Sequence, residues 1–138
     1  MEFVTSTGCS SYLGMIGGRQ TIMLASGCST GNTIHEIGHA LGLLHEQQRA
    51  DRANWVKINY SNIQAGKESN FNTYIQSGIA GFEIGQFDFG SIMLYSSYSF
   101  SSNGLPTITK LDGSTFSGQR TALSAGDLEI IGQMYPCQ

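Results

Sequence analysis

Two hydrophobic periods divide the chain. EFVTST and TIMLAS alternate apolar or β-branched residues with small polar ones, which predicts two short strands, 2–7 and 21–26. Between them SSYLGMIGGRQ carries Gly14, Gly17 and Gly18 and predicts a strand end followed by a turn. The period then changes. In STGNTIHEIGHALGLL, Ile34, Ile37, Leu41 and Leu44 recur at steps of three and four, the apolar face of a helix. Asn32 or Thr33 is placed to cap its start, and Gly42 to stop it. From Gln47 to Gly90 the text is polar and irregular, with a short helix predicted around Ser61–Phe71. GSIMLYSSYSF is a compact apolar stretch, and SSNGLPTITKLDGST predicts a loop and hairpin with turns at Asn103-Gly104 and Asp112-Gly113. LSAGDLEIIGQMYP closes the chain as a helix. Ser124 and Asp127 form a capping-box-like start, and Leu128, Ile131 and Met134 form its face. No internal repeat, linker or low-complexity tract interrupts this order. The pattern is that of one loop-rich α+β domain.

Composition narrows the class. The chain has 138 residues, of which 18 are glycine and only 12% are charged, a poor match for a helical bundle or coiled coil. A net charge of −3 provides no basic footprint for nucleic acid, and no Lys/Arg cluster suits a membrane surface. No apolar run approaches the roughly 18 residues of a membrane span. MEFVTSTGCSS has neither the basic nor the apolar region of a signal peptide, as in a cytosolic protein or the trimmed form of a secreted one. Cys9 and Cys28 bracket the strand–turn–strand segment. A disulfide there would add about 3 kcal/mol, and buried free thiols are the other reading. Cys137 is left over, which points to an intermolecular bridge or a reactive thiol.

All three histidines fall in HEIGHALGLLH. His35 and His39, four apart, share one helix face and lie about 6 Å apart. Both can reach one metal ion at about 2.0–2.1 Å. Gly42 redirects the chain and lets His45 return to the same ion. Three neutral imidazoles leave a fourth position open to water, as in a catalytic rather than a structural zinc site. Glu36 is rotated away from the ligand direction. It suits a general base on the metal-bound water and then a proton donor to the leaving amine. A bare HExxH arises by chance, and helix histidines are often ordinary surface or core residues. The third histidine at +6, with glycine at +3, moves the reading to a zinc protease.

HExxHxxGxxH followed by a methionine turn is the metzincin pattern, and the stretch resembles the astacin family in particular. That family's signature, HExxHxxGFxHExxRxDRDxxV, stands here as HEIGHALGLLHEQQRADRANWV. Leu43 replaces the usual Phe, and Ala53 the usual acid. The family's SxMHY resembles Ser91-Ile92-Met93-Leu94-Tyr95, with Leu94 for histidine. The resemblance implies that Met93 is an apolar floor under the imidazoles. It implies that Tyr95 is a switchable further zinc ligand that swings away to hydrogen-bond the tetrahedral transition state. Read without it, both residues are ordinary core. GCSTGNTIHE and LSAGDLEIIGQMYPC also resemble the family, so the similarity runs over nearly the whole chain.

The implied fold is an α+β, metzincin-type zincin. An upper part, 1–42, has a twisted mixed sheet and the zinc helix. A lower irregular part, 43–138, has the third ligand, the Met-turn and the C-terminal helix. Substrate is expected extended in the cleft, paired antiparallel with an edge strand near Ser10–Gly14. The family's catalytic domain starts earlier, so an early helix and first strands are expected on a segment absent from this chain. On that reading Cys9–Cys28 is the internal bridge, and Cys137 pairs with the absent segment, an N-terminal fragment of the same protease. The family contact of its N-terminus with Glu46 would then be missing. The expected activity is a secreted, extracellular zinc endopeptidase with one Zn²⁺ per chain. Its partners are a protein or peptide substrate and, in the precursor, a pro-segment, with no nucleic acid and no membrane. Arg49, Asp51 and Arg52 either pin the loop after the third ligand through a salt bridge or form a solvated face. Ser97–Lys110 is the stretch expected to shape the prime-side pocket. Two rival readings are a binding module that keeps the metal as a fold staple, and an enzyme acting on a non-peptide amide.

Overall fold

The computed structural model describes residues 1–136. The chain forms two compact units. The first comprises Met1–Leu44, Ser91–Met93 and the described part of Arg120–Gln138. Its sheet has strands β1 (Glu2–Thr5), β2 (Ser10–Ser11) and β3 (Thr21–Leu24) in the order β1-β3-β2. β1 runs parallel to β3, with Glu2 opposite Thr21, and β2 runs antiparallel, with Ser11 opposite Ile22. The sheet is therefore mixed, and β2 is an edge. A disulfide joins Cys9 to Cys28 across a sequence separation of 19, fastening the approach to β2 to the turn before the first helix. Closing a loop of that length stabilises by about 3 kcal/mol.

Helix α1 spans Thr30–Ala40. Ser29 caps it, in extended conformation, with its hydroxyl accepting from the Asn32 amide at 3.1 Å. The cap is three residues earlier than Asn32 because a free amide at the third helical position lies where a serine oxygen can reach it. Gly42 ends the helix at φ +101°, a conformation that a side chain would resist. The buried side differs from the expected one. Ile34, Ile37, Leu41 and Leu44 are only half-buried, whereas Gly31, His35, Glu36, Gly38 and Ala40 are buried. Two glycines explain the inversion. Gly31 and Gly38 lack the Cβ that would hold other chain away, so the Arg120 backbone and the Met93 side chain close over the polar face.

Helix α2 (Ala125–Met134) begins with the expected capping box of Ser124 and Asp127. Its inner face is Ile130, Ile131 and Met134, packed with Ile34 and Leu123 around Leu43, Ile92 and Met93. Leu128 is 56% exposed, so the apolar stripe is shifted from the one predicted.

The second unit comprises His45–Gly90 and Leu94–Gln119. Strands β4 (Val56–Ile58) and β5 (Ile108–Lys110) pair antiparallel, with Ile58 opposite Ile108. β5 thus finds its partner far back in the chain instead of in a local hairpin. Asp112-Gly113 closes only a tight turn, with the Lys110 amide donating to the Ser114 carbonyl at 2.9 Å. The helix expected over 61–71 is two separate 3-10 turns, Tyr60–Asn62 and Glu68–Phe71. Asn, Gly and Ser in that span bond to local backbone and interrupt a helix ladder. The core is Val56, Ile63, Phe71, Phe87, Leu94 and Ile108, ringed by Trp55, Phe89, Tyr95, Phe100 and Phe116. Full burial of a side chain such as Phe71 contributes about 1.5–3 kcal/mol.

The charges after the third histidine act as loop staples. Arg49 donates to both Asp51 carboxylate oxygens, at 2.8 and 2.9 Å, and to the Gly85 carbonyl at 2.9 Å. Arg52 is buried, and its guanidinium donates to the Gln47 and Phe71 carbonyls. Of the two readings of this stretch, Arg49 and Asp51 follow the salt-bridge one, while Arg52 fastens backbone instead.

Candidate metal centre

Helix α1 sets His35 and His39 one turn apart, with ring centroids separated by 4.6 Å and planes at 84°. The turn at Gly42 then returns the chain, with the Leu43 amide donating to Gly38 O at 2.9 Å. His45 follows, and the ligating nitrogens of His35, His39 and His45 all lie within 4.8 Å of one another.

The tautomers suit a metal. His35 Nδ1 lies 2.9 Å from the Ile92 carbonyl, and His39 Nδ1 lies 2.8 Å from the Leu43 carbonyl. A carbonyl can only accept, so each Nδ1 carries the proton and each Nε2 keeps its lone pair for a ligand bond. Burial lowers the pKa of His35 to about 4 and also lowers that of His39. Both rings are neutral near pH 7, as metal ligation requires. The three-imidazole donor set, with the tautomers and protonation of His35 and His39, fits a divalent ion of the zinc type.

Glu36 is buried beside His35. Burial raises its carboxyl above the ordinary carboxylate value, while the Arg120 guanidinium and a hydrogen bond from the Ser11 backbone draw it back down. Ser11 belongs to the edge strand β2, so that strand passes beside the acid. Gly14 is tied to the same helix, its amide donating to His39 O at 2.8 Å.

Met93 is 1% exposed, and its Sδ lies 2.9 Å from where a Cβ on Gly38 would stand. Gly38, between the two helical histidines, therefore admits the thioether against the helix. The Met93 segment is held by Asp127, whose carboxylate accepts from Ser91 Oγ at 2.6 Å and the Ile92 amide at 3.0 Å.

In the second unit, Tyr95 packs on His45 with ring centroids 4.6 Å apart, and on Phe71 and Phe100 at 5.9 and 5.6 Å. Its amide donates to Gln47 Oε1 at 3.2 Å. Glu46 is buried, accepts from the Asp88 amide at 2.9 Å and lies 3.6 Å from Arg49. Ser97–Lys110 includes Phe100, a non-glycine residue at φ +55°. Cys137 lies outside the described residues.

Sequence reasoning missed the supports. Gln47 carries no motif of its own. Asp127 was legible as a helix cap, but its grip on Ser91 and Ile92 spans 36 and 35 residues of chain. No short-range pattern marked Gly31 or Gly38.

Comparison with known proteins bears on the same residues. The family model for Astacin, a family of peptidases, matches residues 1–136. The chain is 43% identical over 141 residues to blastula protease 10 of Paracentrotus lividus, covering 99% of this chain and 24% of that protein. It is 41% identical over 138 residues to the zinc metalloproteinase nas-13 of Caenorhabditis elegans, covering 99% of this chain and 30% of that protein. The chain thus spans a quarter to a third of the length of these relatives. Among solved structures it resembles high choriolytic enzyme 1, a hatching enzyme zinc-protease from Oryzias latipes. The TM-score is 0.87 at 36% identity, over 99% of this chain and 68% of that one. A family match over nearly every residue, on a fold that carries the three-histidine motif, means that the chain belongs to the astacin family of zinc metallopeptidases.

Proposed function

We propose that the protein is a zinc-dependent endopeptidase that hydrolyses peptide bonds of protein substrates, with Glu36 as the general base. The observation that carries this reading is the trio of imidazoles whose ligating nitrogens lie within 4.8 Å of one another, with a buried carboxylate, Glu36, on the residue after the first of them. His35, His39 and His45 are the proposed ligands, with Met93 as the floor beneath them and Tyr95 as a further, exchangeable ligand. Zinc, when bound there, polarises the scissile carbonyl and makes water acidic enough to attack near neutral pH. Glu36 would take a proton from the attacking water and deliver it to the leaving amine. Its raised pKa favours the second half of the task, since a more basic carboxylate holds the proton until the amine departs. Tyr95 donates its phenol hydrogen to the oxyanion as charge develops there.

Substrate is proposed to bind extended along the β2 edge, residues 10–14. The Gly14 amide is bonded to His39 O of α1 and Ser11 passes beside Glu36, so a peptide pairing there would be registered against the helix that carries the base. The protein is further proposed to be secreted. The Cys9–Cys28 disulfide suits an oxidising compartment, and no helix among the described residues is long and apolar enough to cross a membrane. A pro-segment that shields the metal site in the precursor completes the reading.

The Glu36→Gln variant tests it. Metal content should be unchanged, while cleavage of an unfolded protein falls by about 10²- to 10⁴-fold. Near-normal cleavage by that variant would refute Glu36 as the base. Chelation should abolish cleavage by the unsubstituted protein, and chelator-resistant cleavage would refute the metal reading.

A further inference from the structure

Gln47 stands two residues after the third histidine and is completely buried. Its Oε1 accepts from the Tyr95 amide, 48 residues away, at 3.2 Å. Its own carbonyl is held by Arg52 Nη1 at 2.7 Å. Arg52 also holds the carbonyl of Phe71, whose ring meets Tyr95 edge-on at 5.9 Å. One buried guanidinium thus fixes both the peptide that presents the glutamine and the peptide that presents an aromatic wall of the Tyr95 site. The neighbouring Gln48 acts in the same way on the ligand itself, its Oε1 accepting from the His45 amide at 3.3 Å. Consecutive glutamines therefore hold the backbone of the third histidine and the backbone of the tyrosine stacked on it, at 4.6 Å between ring centroids.

Gln47 Nε2 is buried with no hydrogen-bond partner among the described residues. A buried amide with an unmet N–H₂ is unfavourable, and an apolar side chain of the same shape would avoid it. Core packing alone therefore does not account for a glutamine here. Its carbonyl half does: from a wholly buried side chain it supplies an acceptor to a part-buried backbone amide.

We propose that Gln47 is a positioning residue that acts through Tyr95, fixing the peptide from which the phenol projects so that the ring stays registered against His45. The inference rests on the assignment of Tyr95 to transition-state stabilisation. Losing the acceptor loosens the phenol without touching substrate or ligand, so it lowers kcat more than it raises KM.

The test is Gln47→Met, alone and combined with Tyr95→Phe, in the complete protein. Backbone amide exchange, read by NMR on the metal-free form, should accelerate at Tyr95 by about tenfold or more, with the Ile108 amide unaffected. In the zinc-loaded form kcat should fall about two- to tenfold, the worth of one hydrogen bond. The fall should vanish in the Tyr95→Phe background, since one path is removed twice. Unchanged exchange at Tyr95, or a loss of kcat that multiplies with that of Tyr95→Phe, overturns the proposal. If Tyr95→Phe alone leaves kcat intact, the Tyr95 assignment fails, and the exchange measurement still reports separately whether Gln47 holds that amide. Gln47→Glu keeps an acceptor oxygen and serves as the control should the methionine variant misfold. It should retain slow exchange at Tyr95, and fast exchange in a folded Gln47→Glu protein also overturns the idea.

Discussion

Replacing Asp127 with alanine should damage both the fold and the metal site, by a route that can be traced bond by bond. The carboxylate is 2% exposed and accepts from Ser91 Oγ at 2.6 Å, the Ile92 amide at 3.0 Å and the Ser124 amide at 2.9 Å. Hydrogen bonds to a charged group contribute about 1.5–3 kcal/mol each, and three would sum to more than single substitutions usually cost. Water entering the space left by the side chain recovers part of the loss, so about 3–5 kcal/mol is expected. In a chain of this length that lowers Tm by roughly 10–15 °C. Unfolding should be followed on the metal-free protein, so that ligation does not mask the effect. The second readout is zinc affinity by chelator competition. Ile92 is gripped by Asp127 through its amide and grips His35 through its carbonyl, at 2.9 Å. Freeing it should weaken zinc binding by about tenfold, the low end for supports of a ligand. Asp127→Asn, which keeps one acceptor oxygen, should lose about half as much stability. An alanine variant within about 1 kcal/mol of the parent would refute the reasoning, because it would mean that the three donors are satisfied by solvent.

Alanine normally improves a helix by about 1 kcal/mol over glycine. At Gly132 of α2 an added Cβ meets nothing within 4 Å, so Gly132→Ala should stabilise; at Gly31 of α1 it would run into the Arg120 carbonyl, so Gly31→Ala should destabilise by about 1–3 kcal/mol. Thermal shifts of the same sign in the two variants would contradict this account of α1 packing. A third prediction concerns acid. The hydrogen bond from Arg49 holds the Asp51 carboxyl below its ordinary value. A depressed folded pKa contributes stability above the unfolded value of about 3.9 and loses it as pH falls through the folded one. The stability difference between the parent and Asp51→Asn should therefore be constant from pH 5 to 8 and shrink below about pH 4. It should stay under about 1 kcal/mol, because the Asp51 side chain is 36% exposed and screened. A difference that instead grows towards low pH would show that the pair is not formed.

The three-histidine cluster was legible because its geometry is local. His35 and His39 need only the pitch of one helix, and His45 needs only the glycine turn that follows. The capping box of α2 and the strands near 2–7 and 21–26 were legible for the same reason, since capping and strand patterns act over a few residues, whereas the mixed sheet with an edge near Ser10 was implied only by the family resemblance. The shifted cap of α1, the broken helix over 61–71 and the non-local partner of β5 were not. Each depends on competition between local backbone bonds and packing that periodicity does not weigh.

The inverted face of α1 marks the division most clearly. Its apolar positions promised the buried side, but the histidine face lies deeper, because Gly31 and Gly38 admit the Arg120 backbone and Met93 there. The sequence by itself determined which atoms can bind a metal and which carboxylate stands beside them, since spacing along one helix sets both. Only the tertiary structure decided how those atoms are held. The Ile92 carbonyl fixes the tautomer of His35, Asp127 fixes Ile92, and Gln47 fixes Tyr95, across 35 to 57 residues of chain. Such contacts form only once burial has excluded water as the competing partner, so no short-range pattern encodes them.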